Sequence, residues 1–367
     1  MSRRRLLIVS PAFAPHPSPS MQRTRFVARY APDNGWDPHV VSVDPMHYEE
    51  SIDPELERLL PAGLRITRTR AWPARWTRRF GVGDLGMRSY APMRRVLRDV
   101  CRRERPDLVY IPLPPWHTAL LGADMRREFG IPYVLDYTDP WVFAIPPAQN
   151  RPTRKAYWFR RMAEVLEPRA VRNAAHIFAV SDGTNDGIRA RHPEIPGSRF
   201  SAAPFGFEPE DFEALRRAPR PNPYWDRGDG DFHIVYAGAM LPHAYETLRA
   251  VFGAALQLRE REPSLGRRLR FHFFGTTYAP TAGRGLVLPV AQEMGIAGQV
   301  SEVPLRIPYV DALNVLTSAD AVLGMGSTEK HYTASKIFPS ILSRRPVLAV
   351  YHEASSVCDV MRATGAG

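Results

Sequence analysis

The chain has 367 residues, 44% hydrophobic and 24% charged, so it is a folded protein too long for one ordinary core. Its formal net charge is +11, from 49 Lys and Arg against 38 Asp and Glu. Two distant cysteines, Cys101 and Cys358, argue against a disulfide scaffold or a cysteine zinc site and fit a reducing compartment.

No stretch approaches the roughly 20 apolar residues of a membrane span. The basic start "MSRRRLLIVSP" has too short an apolar run for a signal peptide. A cytoplasmic protein is expected, and its charge leaves open a peripheral place on the inner face of the membrane.

Residues 6–10 read as a first strand, and the Pro- and Ser-rich piece 11–20 as a loop. Ser20 is expected to cap a helix over 23–30 that stops at Pro32 and Gly35. Residues 39–44 are the second strand. The loop then lies on the carboxyl edge of a parallel sheet, where His16, Ser18 and Ser20 are candidates for a polar ligand. Residues 45–105 read as irregular, with a helix at 92–104. Residues 65–105 hold thirteen Arg and three acids (Asp84, Asp99, Glu104), interleaved with Trp72, Trp76 and Phe80. That mixture suits an anionic membrane surface or a phosphorylated acceptor. The plainer reading is a solvated Arg-rich face. No nucleic-acid reader motif accompanies it, so no nucleic acid is expected as partner.

A strand at 107–114 and a helix at 116–128 follow. The strand at 132–141 runs into Asp136, Asp139 and Trp141. A carboxylate at the carboxyl end of a buried parallel strand points toward the ligand side. Pro140 favours an extended Asp139. Helix 155–173 and strand 176–181 come next. Residues 214–231, rich in Pro, Arg and Gly, read as a linker. The expected domains are therefore 1–213 and 232–367, joined by 214–231.

The second half alternates strand and helix again. Gly238 ends its first strand and opens a turn that suits a phosphate, with His243 as a further donor. Helices are expected at 245–261, 284–294 and 309–318, and a strand at 300–307. Segment 321–351 reads as strand, loop, helix, strand. Thr333 or Ser335 is expected to cap that helix, whose Ile337, Phe338, Ile341 and Leu342 share a stripe. Lys336 would then sit in the first turn, where a cation suits a bound anion better than the helix dipole. The chain has only three lysines, Lys155, Lys330 and Lys336, and two of them flank this loop. A compact ammonium meets phosphate as a point charge; a solvated surface lysine is the equal alternative. Both halves together predict an α/β fold of two tandem doubly wound parallel sheets.

Taken in order, "LLIVSPAFAPHPSPSMQRTRFVARYAPDNGWDPHVVSV", "VLDYTDPW", "VSDGTNDGI", "APFGFEPEDF", "IVYAGAM" and "YTASKIFPSILSRRPVLAV" resemble the GT-B glycosyltransferases of family 4. The resemblance runs over nearly the whole chain. It implies two Rossmann-like domains facing across a cleft and a retaining transfer from a nucleoside-diphosphate sugar. The acceptor would be a glycan of the cell envelope or an exopolysaccharide, lipid-linked or not. No cofactor and no metal are expected beyond the sugar nucleotide itself. On this reading Lys336, Ser335, Gly238, Lys330, His331 and Thr333 bind donor. His16, Ser18 and Ser20 bind acceptor, and Asp139, then Asp136, orient or deprotonate its hydroxyl. Two departures stand out. The motif's two glutamates, the second of which holds the donor ribose, fall on His331 and Pro339. The loop "AMLPH" lacks the Arg and Lys that hold the diphosphate in many members. The missing glutamates favour the alternative of a non-catalytic sugar-nucleotide or polysaccharide-binding protein, and the retained lysine and the crevice carboxylates oppose it. An epimerase of the same architecture is a third option. Family members continue past the position of Gly367, so a carboxyl-terminally incomplete donor domain is expected.

Overall fold

The computed structural model describes residues 3–240, 244–277, 285–326 and 335–366. Its contacts divide into two compact units, Met1–Phe205 and Gly206–Gly367.

The first unit is built on β1 (Arg4–Val9), β2 (Trp36–Val43), β3 (Arg65–Thr69), β4 (Leu108–Leu113), β5 (Tyr133–Tyr137), β6 (His176–Ala179) and β7 (Phe200–Ala202). They form one sheet in the order β3-β2-β1-β4-β5-β6-β7. Every neighbouring pair is parallel. The strand order reverses between β1 and β4, so the loops after them flank a switch point on the carboxyl edge. β4 and β5 are buried almost throughout, as strands covered on both faces must be.

Three local readings change here, each for a physical reason. β3, "RITRT", lies in the stretch expected to be irregular. Its arginines mask an edge strand, and Arg65 is neutralised by Asp37 and Glu104. The helix expected at 92–104 begins at Leu85, capped by Asp84 and with Pro92 inside it. Pro92 cannot donate to the Arg88 carbonyl. That carbonyl accepts instead from the Trp72 N–H at 3.0 Å, so the helix keeps its course. The first helix is Pro19–Tyr30, capped by Ser18 rather than Ser20. Pro19 fits at its start, where no N–H is needed.

The second unit carries β8 (Phe232–Ala237), β9 (Leu269–Phe274), β10 (Val300–Val303), β11 (Ala321–Met325) and β12 (Val347–Val350). They form a second parallel sheet, β10-β9-β8-β11-β12. Its reversal point is between β8 and β11. Phe252, Phe271 and Phe273 fill the core on one face. The helix Pro209–Arg217 belongs with this unit, since Phe212 and Leu215 pack against Leu313. The two α/β parallel-sheet domains match the architecture expected from the alternating pattern. Among the described residues no helix is long and apolar enough to cross a membrane.

Candidate functional site

In the second unit the site forms where β8 ends. Gly238 has φ +143°, and a Cβ there would collide with the Lys336 side chain. Only glycine meets both demands. Lys336 Nζ donates to the Tyr236 hydroxyl at 2.6 Å and to the Ala239 carbonyl at 2.7 Å. It also lies 4.7 Å from the centroid of the Tyr236 ring. The Tyr236 hydroxyl donates on to the same carbonyl at 2.8 Å. Gly238 and Lys336, far apart in sequence, are thus in direct contact.

All these partners are neutral, and no carboxylate among the described residues pairs with Lys336. Burial pushes its ammonium down to about 7, and the nearby Arg306 charge adds to the effect. Among the described residues this cation is held by neutral oxygens only, against the turn at Gly238. Arg306 follows β10 on the same carboxyl edge, where a Cβ added to Gly275 would lie 3.7 Å from its Cα. Tyr236 and Arg306 were missed in the sequence. The signal for Arg306 was its place just past a strand, drowned among so many arginines.

The helix after Lys336 spans only Ile337–Leu342. Lys336 is its N-cap rather than a first-turn residue, and no side chain caps it. Ser335 therefore does not cap, and the dipole of a six-residue helix adds little. Lys330, His331 and Thr333, like His243, lie outside the described residues. Pro339 lines a cavity of about 180 Å³ with Phe207, Tyr236, Tyr309, Leu323 and Lys336. An apolar wall stands where the resemblance would place the ribose-binding carboxylate.

In the first unit Asp136 is buried at the end of β5. Its Oδ2 accepts from Arg23 Nε at 2.5 Å and from the Tyr110 hydroxyl. Arg23 also donates to the Ala203 carbonyl at 2.8 Å and the Pro204 carbonyl at 3.1 Å. One guanidinium so ties the first helix to β5 and to the exit of β7. Desolvation acts to lower the Arg23 value, but the Asp136 charge outweighs it and leaves it raised. Burial, then the same carboxylate, lifts the Tyr110 hydroxyl well above its usual range. Among the described residues Asp136 Oδ1 has no hydrogen-bond partner.

Asp139 is different. It is exposed, and its carboxylate has no partner among the described residues. Its carbonyl accepts from Trp116 Nε1 at 3.1 Å, which fixes the turn. Desolvation by the surrounding chain raises its carboxyl above the usual range. The buried His117 packs edge-on to Trp141, with ring centroids 5.5 Å apart. Its Nδ1 lies 3.2 Å from Asp84 Oδ1, and since a carboxylate only accepts, Nδ1 carries the proton. His117 was not among the sequence candidates, and it braces the turn that carries Asp139.

The expected acceptor loop is well ordered by its own contacts. His16 Nε2 lies 3.3 Å from Glu50, and its ring meets Tyr48 edge-on. Ser18 accepts from the Met21 N–H at 3.2 Å, and Ser20 is buried with its hydroxyl 3.1 Å from that of Ser18. Of the three, Ser18 alone is partly exposed; His16 is buried, and Ser20 is buried in the helix.

Residues 21–206 match the family model for the glycosyl transferase 4-like domain. The chain belongs to the glycosyl transferase 4-like family. It is a glycosyltransferase in fold and class. Solved structures of similar fold span nearly the whole chain. Anabaena Alr3699/HepE, in complex with UDP and glucose, is 15% identical with a TM-score of 0.57 over 95% of this chain and 80% of that one. Sucrose-phosphate synthase from Thermosynechococcus elongatus is 13% identical, with a TM-score of 0.57 over 95% and 81%. The catalytic domain of starch synthase IV from Arabidopsis thaliana, bound to ADP and acarbose, is 10% identical, with a TM-score of 0.58 over 98% and 84%. At such identities the likeness is one of fold. No curated protein matches the sequence.

Proposed function

We propose that this glycosyltransferase moves a sugar, with retention, from a nucleoside-diphosphate sugar to a lipid-linked acceptor of the cell envelope or of an exopolysaccharide, at the cytoplasmic face. The observation that carries the donor half is Lys336: a desolvated ammonium whose partners among the described residues are all neutral, against the turn at Gly238. The leaving diphosphate gains charge as the sugar–oxygen bond breaks. An ammonium in a low-dielectric site stabilises that charge far more than one in water does. Arg306 is the second cation of this proposal, replacing those absent from "AMLPH". Solved relatives of the fold carry UDP or ADP, which supports this donor class. Turnover of a panel of sugar nucleotides, read as nucleoside diphosphate released only with acceptor present, is the direct test. Release without any acceptor would instead indicate an epimerase or hydrolase.

Asp139 is proposed to orient and deprotonate the acceptor hydroxyl, because an unpaired carboxylate of raised pKa is the better base. Asp136 is proposed to hold the edge through Arg23 rather than to move a proton. We expect Asp139→Asn to lower kcat by about 100-fold or more while donor affinity changes little. Steady-state kinetics beside donor calorimetry measure both. Undiminished turnover in a folded variant would leave Asp139 a turn residue.

A further inference from the structure

The arginine-rich segment is not one basic surface. Arg94 pairs with Asp124 and Glu128, Arg98 with Glu128, and Arg88 is buried. With Arg65 also paired, much of the charge is matched by acids of the fold. Arg95, Arg102, Arg103 and Arg105 are exposed as well, but the exposed arginines that cluster with exposed aromatic rings are in residues 70–81. Trp72, Trp76 and Phe80 follow at four-residue spacing and are 59%, 53% and 86% exposed. Arg75 and Arg79 lie over the Trp76 ring at 5.8 and 5.1 Å. Arg70, Arg75 and Arg79 have no acidic partner among the described residues, and the stretch contains no acid.

This strip does not stand alone. Arg88 donates to the Trp72 carbonyl at 2.8 Å and to the His47 carbonyl at 3.2 Å. Arg78 pairs with Glu49 at 2.9 Å. The loop after β2 is thereby fixed beside it, presenting Met46, 80% exposed. That loop in turn holds the loop after β1. Glu50 meets His16, and the Tyr48 hydroxyl accepts from the Phe13 N–H at 3.1 Å and donates to the Val43 carbonyl at 2.9 Å. The three loops leave the carboxyl ends of β1, β2 and β3, which are neighbours in a parallel sheet. Aromatic rings with interleaved guanidinium groups, with no acid in 70–81 itself and Glu49 tied to Arg78, match the headgroup layer of an anionic bilayer. The rings enter the acyl boundary, and the arginines bind lipid phosphate.

We propose that residues 70–81, with Met46, form a blade that inserts into an anionic lipid surface and sets the loop after β1, with its part-exposed Ser18, at headgroup level. The partner extends the lipid-linked-acceptor reading, yet its test needs neither donor nor acceptor, so the two readings fail separately. The test is co-sedimentation of the full chain with vesicles of phosphatidylglycerol and phosphatidylcholine, against phosphatidylcholine alone. Binding is expected to the anionic vesicles, to fall steeply with salt, and to shift tryptophan emission to the blue. The double variant Trp76→Ser, Phe80→Ser is expected to bind about tenfold more weakly or worse with unchanged melting, because both side chains lie in solvent. Arg75→Gln with Arg79→Gln is expected to reduce both binding and its salt dependence. Equal binding to neutral vesicles, or full binding by the serine variant, overturns the proposal. So does the absence of any vesicle binding, which would assign the blade to a protein partner.

Discussion

Replacing Arg23 by methionine is expected to lower the stability of the protein by about 3–5 kcal/mol. The substitution leaves the Asp136 carboxylate buried with only the Tyr110 hydroxyl as partner. At roughly 2–4 °C per kcal/mol for a unit of this size, melting should fall by about 6–20 °C. Adding Asp136→Asn removes the orphaned charge, so the double variant should lose less than the two single variants summed. A single variant with wild-type melting would show that Asp136 is not latched.

The Arg23 latch marks where sequence reading stops. The carboxylate was legible, because "YVLDYTDPW" is an apolar run that ends in two acids, and a parallel strand can only deliver them to one edge. Its partner was not. Arg23 sits more than a hundred residues earlier, on a helix whose start was misplaced, in a chain where arginine is everywhere. Pairing across that distance is a property of the sheet order, with β1 beside β4 and β4 beside β5. The same limit applies to the basic segment. Composition gave its charge, but only the fold shows that Asp124 and Glu128 cancel Arg94 and Arg98 while Arg75 and Arg79 stay free to stack on Trp76. β3 was lost for a related reason, since an edge strand that alternates Arg with Ile and Thr has no apolar run to find.

Lys336 was the reverse case. Its rarity in the chain and its place after β11 were enough to single it out, while the reason for its importance lay in contacts that no pattern shows. The sequence suggested a helix dipole assisting the lysine, and the structure supplies a hydroxyl, a carbonyl and an aromatic ring around it. Gly238 was chosen as a turn residue that a phosphate could approach. The structure adds that its missing side chain makes room for the Lys336 stem.

That arrangement gives the last expected result. In the free protein the Lys336 ammonium is lowered to about 7 by burial and by Arg306, so near neutral pH it is only partly charged. A bound diphosphate favours the charged form, and binding should take up a proton. Below about pH 7 the lysine is already charged, and donor affinity should be level. Above that value affinity should fall about tenfold per pH unit, until the raised pKa of the complex is passed. An intact sugar nucleotide is the ligand to use, since its diphosphate is esterified at both ends and does not titrate in this range. The stability of the unliganded protein moves the other way. The unfolded chain binds more protons than the folded one between about 7 and 10.4, so stability rises with pH across that window. Lys336→Ala should flatten both profiles and weaken donor binding at pH 6 by about 1.5–3 kcal/mol, the value of a charge-assisted hydrogen bond. Calorimetry in two buffers of different ionisation enthalpy measures the proton uptake directly. Donor affinity that is independent of pH in the wild type and unchanged in Lys336→Ala would remove the lysine from the diphosphate site and leave Arg306 as the cation to test.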